Sequence, residues 1–374
     1  MIEMEKRKMR ILFLVSTLNV ANGVNSFVMN YTRKMNHEEV QVDVLMFFDR
    51  KSSYIDEIRS YGGNVYLAPP VSDLKKHIAY CDEILKNGNY DVIHDNTLIV
   101  SIPTMILAKK RNIKLRILHS HTTKNGETFL KQVRNSFFIP ILKATATQYF
   151  ACSEAAGKAM FGKHKYMIVP NVVNAEDFAF DENKRSSVRR AMGVEGKKVV
   201  ATVGRCSMEK NPFFALDVMK ECITRFPDIE YWWIGNGRLF SDMKEYLHQL
   251  GIEDNVKLLG ERTDVKALYQ AMDCFFLPSL FEGLPVTCIE AQAAGLPIVM
   301  SDTITREVVI TNLIETLSLK NNTLEEWADT IQVTVRKSME REYYSNLFKS
   351  SKYSDSGCGE KLIDIYVSLM KNEI

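Results

Sequence analysis

The sequence predicts two doubly wound, parallel-sheet α/β domains, and three observations carry that expectation. At 374 residues the chain is longer than one ordinary core supports and suits two domains. Short apolar runs alternate along it with longer stretches of helical period. The alternation breaks near residue 175 and then restarts, so one strand–helix series follows another.

In the first series the expected strands are 10–15, 40–47, 64–67, 91–94, 114–119 and 147–151. The second of these carries Val42, Val44, Leu45, Met46 and Phe47, the near-continuous apolar run of a strand covered on both faces. The pattern stops over residues 170–180, the charged stretch 181–190 follows, and a domain boundary is expected near residue 175. The second series expects strands at 198–203, 230–234, 256–259, 274–278 and 297–301, with helices at 211–226 and 242–250 among them. The segment 359–371 reads as an amphipathic helix with Leu362, Ile365, Tyr366 and Leu369 on one side.

Composition excludes several classes. A net charge of +2 does not provide the concentrated basic face of a nucleic-acid binder. Seven cysteines (Cys81, Cys152, Cys206, Cys222, Cys274, Cys288 and Cys358) are scattered, odd in number and without C-x-x-C spacing. Reduced, buried thiols and a cytoplasmic location are the expectation. Residues 1–15 are basic and then apolar, but the apolar run is too short for a signal peptide and no small-residue cleavage site follows. No stretch approaches the roughly 20 apolar residues of a membrane span. A soluble or peripheral protein is expected.

The strongest motif runs Ser279-Leu-Phe-Glu282-Gly283-Leu284-Pro285 and continues to Glu290. It follows an expected strand and opens an expected helix, with Pro285 suited to the first helical position. The N–H groups of Gly283 and Leu284 would make an anion site at the strand's carboxyl end. Glu282 in the loop and Glu290 in the second helical turn suit hydrogen bonds to vicinal hydroxyls, one set on a sugar and one on a ribose. An ordinary strand–turn–helix with solvated acids is the bland alternative. A second motif is Gly204-Arg205-Cys-Ser-Met-Glu209-Lys210-Asn211-Pro212, again between strand and helix. With Asn211 as cap and Pro212 first in the helix, a guanidinium, an ammonium and a helix start surround one point. A diphosphate suits it. Two surface cations at a helix start would explain the same residues.

Weaker signals accompany these. Gly235-Asn236-Gly237 ends a strand as a tight turn, or as backbone that approaches a donor. Gly23, after the first strand and before a helix beginning near Asn25, would let backbone approach a phosphate or sugar, although a plain loop is nearly as good. His119 and His121 close the strand 114–119, where they could donate into an interdomain cleft or serve structure. Residues 124–143 mix Lys124, Lys131, Arg134 and Lys143 with Phe129, Phe137, Phe138 and Ile141. Such a segment either lies on an anionic membrane surface or is a buried helix with a solvated basic edge. No Asp-x-Asp, no P-loop and no G-x-G-x-x-G after the first strand occur. A metal-dependent sugar transferase, a P-loop ATPase and a NAD enzyme are thereby disfavoured.

Taken together, Gly204-Arg205, Lys210-Asn211, Gly235-Asn-Gly237, Pro278-Ser-Leu-Phe-Glu282-Gly-Leu-Pro and the Glu282-x7-Glu290 spacing resemble retaining glycosyltransferases of family four, with the GT-B fold. Within it the chain is similar to bacterial exopolysaccharide and capsule glycosyltransferases. His119-Ser-His121-Thr, Phe161-Gly, Pro170-Asn171, Leu259-Gly260 and Ser301-Asp-Thr-Ile-Thr305 add to the likeness. The resemblance implies two Rossmann-like domains facing a central cleft. Residues 1–175 would form the acceptor side and 176–358 the donor side, with 359–374 packing back on the first. It implies Arg205 and Lys210 on a donor diphosphate, Glu282 on the transferred sugar, Glu290 on the ribose and the backbone of Gly283 and Leu284 on phosphate. One of His119 and His121 would bond the donor sugar. Asn22-Gly23 and Asn171-Val172-Val173 depart from the family's Gly-Gly and Asn-Gly-Val. These changes touch loop and hinge geometry rather than donor chemistry.

The expected activity is transfer, with retention, from a UDP-type sugar donor to a glycan or lipid-linked acceptor, with no cofactor and no metal. Peripheral contact with the inner face of a membrane is part of the expectation, and nucleic acid is not. A nucleotide-sugar epimerase on the same fold and a non-catalytic glycan-binding subunit are the rival readings. Phosphorylase-like chemistry would require pyridoxal phosphate.

Overall fold

The computed structural model describes residues 7–19, 23–49, 52–123, 129–337 and 340–371. The chain divides into two compact units, Met1–Val172 with Asp355–Ile374, and Val173–Ser354. Unit one holds β1 (Met9–Val15), β2 (Val40–Met46), β3 (Val65–Leu67), β4 (Val92–Asp95), β5 (Leu115–Ser120), β6 (Gln148–Ala151) and β7 (Met167–Ile168). They form one parallel sheet in the order β3-β2-β1-β4-β5-β6-β7. Unit two holds β8 (Lys198–Val203), β9 (Ile229–Ile234), β10 (Val256–Gly260), β11 (Cys274–Leu277), β12 (Ile298–Ser301) and β13 (Ile314–Leu317). These are also parallel, in the order β10-β9-β8-β11-β12-β13.

Every expected strand is present within a residue or two. β7 and β13 were not expected, because two residues make no pattern and Ile314-Glu-Thr-Leu317 is half-exposed with no apolar run. The charged stretch 181–190 supplies the cap and most of the helix Glu182–Met192. Asp181 caps it by accepting from the Lys184 N–H, and Gly193 ends it at φ 67°. Pro285 stands one place earlier than expected, as the cap before the helix Val286–Ala293. The helix after β1 starts at Gly23 rather than near Asn25, while Val20, Ala21 and Asn22 lie outside the described residues.

In unit one the core is the sheet's apolar strands and the helix Gly23–Arg33, closed by the helix Cys358–Met370 through Leu362, Tyr366 and Leu369. Gly359 is required there: a Cβ would sit 2.2 Å from the Lys34 carbonyl oxygen. In unit two the helices Pro212–Arg225 and Leu324–Arg336 cover β8, β9 and β11, with Trp233 and Trp327 fully buried between them. The helix ends Val265–Ala271 and Val286–Ala293 leave carbonyls in the interior. Buried Arg341 answers them, donating to the oxygens of Tyr269, Gln270, Met272 and Ala294 at 2.9–3.2 Å. Burial lowers its guanidinium to about 9, the electrostatic cost of this tie. All seven cysteines are buried thiols outside any disulfide. No helix among the described residues is long and apolar enough to cross a membrane.

Candidate active site

In unit two the strand order reverses between β8 and β11, so the loops leaving their carboxyl ends diverge and open a crevice. The loop after β8 passes through a one-turn 3-10 helix, Met208–Lys210, into the helix Pro212–Arg225. Asn211 takes φ 56°, a left-handed value that asparagine tolerates, and Pro212 supplies a helical φ without needing a partner for an N–H. The Asn211 side-chain amide then donates to the Pro278 carbonyl (3.2 Å), and the Leu280 N–H donates to the Glu209 carbonyl (2.8 Å). The two loops are thus cross-linked.

Across this link Lys210 Nζ donates to Glu282 Oε1 at 2.6 Å, both side chains 13% exposed. Ser279 Oγ donates to the same oxygen at 2.8 Å. The Ser279 carbonyl accepts from Ser301 Oγ (2.6 Å) and Thr303 Oγ1 (2.7 Å), so the loop after β12 braces the glutamate loop. Gly204 lets the lysine stem cross it, since a Cβ would meet Lys210 Cε at 3.0 Å. Arg205 is exposed on the same loop. Half-buried Glu209 lies within its field and that of Arg238. Burial would raise the Glu209 carboxyl, but hydrogen bonds from Ser207 and its own N–H and the two guanidinium charges outweigh it, so it sits below its ordinary value. Arg238 was missed in the sequence; its signal is its place directly after Gly235-Asn-Gly237.

That glycine turn has a reason the sequence could not show. A Cβ on Gly235 (φ 136°) would lie 2.1 Å from the Gly204 oxygen, and one on Gly237 would lie 2.2 Å from the Cys206 oxygen. Cys206 N–H donates to Asn236 O (3.0 Å) and Leu239 N–H to Cys206 O (3.1 Å). What approaches these glycines is the loop carrying Arg205. The tight turn expected here is thus held by backbone packing.

Gly283 is half-buried and Leu284 buried in the turn before Pro285. Glu290 follows on the helix. Its Oε2 is 3.0 Å from the Tyr269 hydroxyl, which is also 3.1 Å from the Thr287 carbonyl. Burial pushes the Glu290 carboxyl up to about 7, against the pull of Tyr269, Lys266 and Lys210. A protonated Glu290 would donate to Tyr269 while Tyr269 donates to Thr287, which satisfies all three groups. Tyr269, on the helix Val265–Ala271, had no sequence signal.

In unit one, β4 ends on His94-Asp95 and β5 on His119-Ser120, side by side in the sheet. Tyr366 OH lies 2.5 Å from His94 Nδ1, and His94 Nε2 lies 3.0 Å from His119 Nδ1. The His119 ring lies 4.0 Å from that of His121, centroid to centroid. Both His94 and His119 are buried, and desolvation, with neighbouring His121, holds them well below the ordinary histidine range. His119 therefore presents nothing to solvent. Its Nε2 has no hydrogen-bond partner among the described residues, and the Phe27 ring stands edge-on to it at 4.7 Å.

His121 is the partly exposed member, lowered to about 4 by burial. The Asn96 amide nitrogen donates to the His94 carbonyl, which turns its Oδ1 toward His121 Nε2 at 2.9 Å. On the other side Asn171 Oδ1 stands 3.2 Å from Nδ1, so the ring lies between two amide oxygens and, when neutral, donates to one of them. Asn96, Asn171, His94 and Tyr366 were not singled out as site residues in the sequence. Gly23 is exposed at the start of its helix, and residues 124–128, including Lys124, lie outside the described residues.

Each unit is a doubly wound parallel sheet, and the second carries a paired cation and carboxylate at its reversal point; the comparisons give the class. The chain matches the model for glycosyl transferases group 1 over residues 184–349 and that for glycosyltransferase family 4 over residues 21–177. It belongs to the GT-B glycosyltransferases. EpsF of Bacillus subtilis, assigned to the glycosyltransferases, is 29% identical over 341 residues, 88% of each chain. The UDP-Gal:alpha-D-GlcNAc-diphosphoundecaprenol alpha-1,3-galactosyltransferase of Escherichia coli is 26% identical over 321 residues, 81% of each. HepE of Anabaena, solved in complex with UDP and glucose, superposes with a TM-score of 0.80 at 18% identity, covering 96% of this chain and 100% of that one.

Proposed function

We propose that the chain transfers a sugar from a UDP-sugar to a glycan or lipid-linked acceptor, with retention of configuration and without a metal, in exopolysaccharide or capsule assembly. The observation that carries this reading is the Lys210–Glu282 pair at the reversal point of the second sheet, with Arg205 on the same loop. In this reading Arg205 and Lys210 neutralise the leaving diphosphate, as fixed cations can without reorganisation. An ammonium has three protons, so one bond to Glu282 leaves capacity for a phosphate oxygen. Glu282 binds the sugar's hydroxyls, Glu290 the ribose, and the backbone of Gly283 and Leu284 a phosphate. Gly204 and Asn211 shape this pocket. His121 meets the donor sugar, with His119 positioning it from beneath. The sugar–phosphate C–O bond breaks as the acceptor oxygen bonds the same carbon on the same face. The acceptor's proton passes to the departing phosphate oxygen.

The names of the relatives support a UDP donor and a polysaccharide pathway by analogy. Contact with an anionic membrane surface belongs to the same reading. It is favoured by the helix Phe129–Thr145, which exposes Leu130 (80%) and Phe137 (75%) and bears no acidic residue.

The test is calorimetry with UDP followed by turnover of Arg205→Ala and Lys210→Ala. UDP should bind. Each variant should fold normally and lose about 100-fold or more in turnover, the effect of removing one preorganised charge partner. Near-wild-type transfer by both variants would overturn the diphosphate assignment. Change of a donor incubated alone, followed by NMR, would instead favour an epimerase.

A further inference from the structure

A second cavity, in unit one, is absorbed by none of these roles. It measures about 250 Å³ and lies between the loop leaving β5, the helix Phe129–Thr145 and the helix Glu154–Phe161. Thr122, Thr123 and Ser136 bring hydroxyls to it, Lys143 an ammonium, and Ile139 and Met160 apolar wall. Thr122 directly follows His121, so the cavity's polar side is continuous with the residue assigned above to the sugar.

Lys143 is half-buried, and its Nζ stands 5.9 Å from the Phe161 ring centroid. Among the described residues no carboxylate pairs with it. Desolvation lowers its ammonium and no charge offsets that cost. Ser136 Oγ donates to the Gln132 carbonyl at 2.9 Å, so the ammonium is the principal donor, and a desolvated cation among hydroxyls is suited to an anion with several acceptor oxygens.

The helix that carries Lys143 has a second stripe. Ser136, Ile139 and Lys143 face the cavity, whereas Leu130, Val133, Phe137 and Ile141 are exposed. At 3.6 residues per turn the two stripes lie roughly 120° apart. The anion site therefore adjoins an exposed apolar row, a pairing that suits a phosphate carrying an apolar chain.

We infer that this cavity binds the phosphate or diphosphate of a lipid-linked acceptor, anchored by Lys143 and flanked by Thr122, Thr123 and Ser136. The inference rests on the transferase reading for the word acceptor; the anion site itself does not.

The test titrates the full chain, saturated with UDP, with geranyl diphosphate and separately with inorganic pyrophosphate. Lys143→Met and Lys143→Arg are run in parallel, and UDP affinity is measured on every sample. Geranyl diphosphate should bind alongside UDP. Lys143→Met should weaken it about tenfold or more, the scale of one lost charge-assisted hydrogen bond, while Lys143→Arg stays within about threefold. Pyrophosphate should show the same dependence more weakly. Unchanged UDP affinity in Lys143→Met guards against misfolding. Equal affinity in Lys143→Met and wild type, or displacement of the probe by UDP, would overturn the inference. Failure of UDP to bind would strike the transferase reading alone, since the dependence on Lys143 is still read from the probe.

Discussion

Glu290 carries the clearest single-residue consequence. Its carboxyl ordinarily titrates near 4.5 and here sits at about 7, because burial disfavours the charge. Between those values the folded chain holds a proton that the unfolded chain has lost. Stability contributed by this group is therefore complete below about pH 4.5 and declines as pH rises through about 7. Glu290→Gln should flatten that decline, which urea denaturation at pH 5, 6, 7 and 8 would measure; an unaltered slope would refute the assignment. If ribose hydroxyls donate to the ionised carboxylate, UDP should also bind more tightly at pH 8 than at pH 6 and release a proton. Calorimetry in buffers of differing ionisation heat reads this. His121, held to about 4 in the fold against an ordinary 6.5, stays neutral there while the unfolded chain takes up a proton. It therefore adds a slope of opposite sign below about pH 6.5, which wild type and Glu290→Gln share and which cancels in their difference.

At the level of elements, the second site is a set of loops that hold one another. Gly237 packs on Cys206, the Asn211 amide on Pro278, and Ser301 and Thr303 on Ser279. Gly237→Ala would put a methyl 2.2 Å from a backbone oxygen that cannot swing aside, so the loop bearing Arg205 must shift. We expect a loss of about 1–3 kcal/mol in stability, as for overpacking, and a larger loss in turnover than in UDP affinity. Wild-type kinetics in that variant would show that the turn is not part of the machinery. This packing was invisible in sequence, where Gly-Asn-Gly reads only as a turn. The strand–loop–helix settings of Glu282 and Lys210 were legible, because apolar runs and Pro212 mark the element boundaries. Their direct pairing was not, since 72 residues separate them.

Over the whole chain, the last helix returns to complete unit one. Tyr366 reaches His94, 272 residues away, and through it the column beneath His121. Tyr366→Phe should leave a buried His94 nitrogen without its partner and cost about 1–3 kcal/mol, read by denaturant unfolding. UDP affinity should not change, because unit two has its own core. No change in stability would mean that the column does not depend on the hydroxyl.

Sequence alone determined the doubly wound class, the positions of most strands along the chain and the residues at the ends of β8 and β11, because periodicity and turn chemistry are local properties of the chain. Tertiary structure decided which histidine is buried, which glycines are filled by backbone, and that Lys210 meets Glu282 while Glu290 meets Tyr269. Those outcomes depend on desolvation and on distances across the fold, and neither is written in the spacing of residues along a chain.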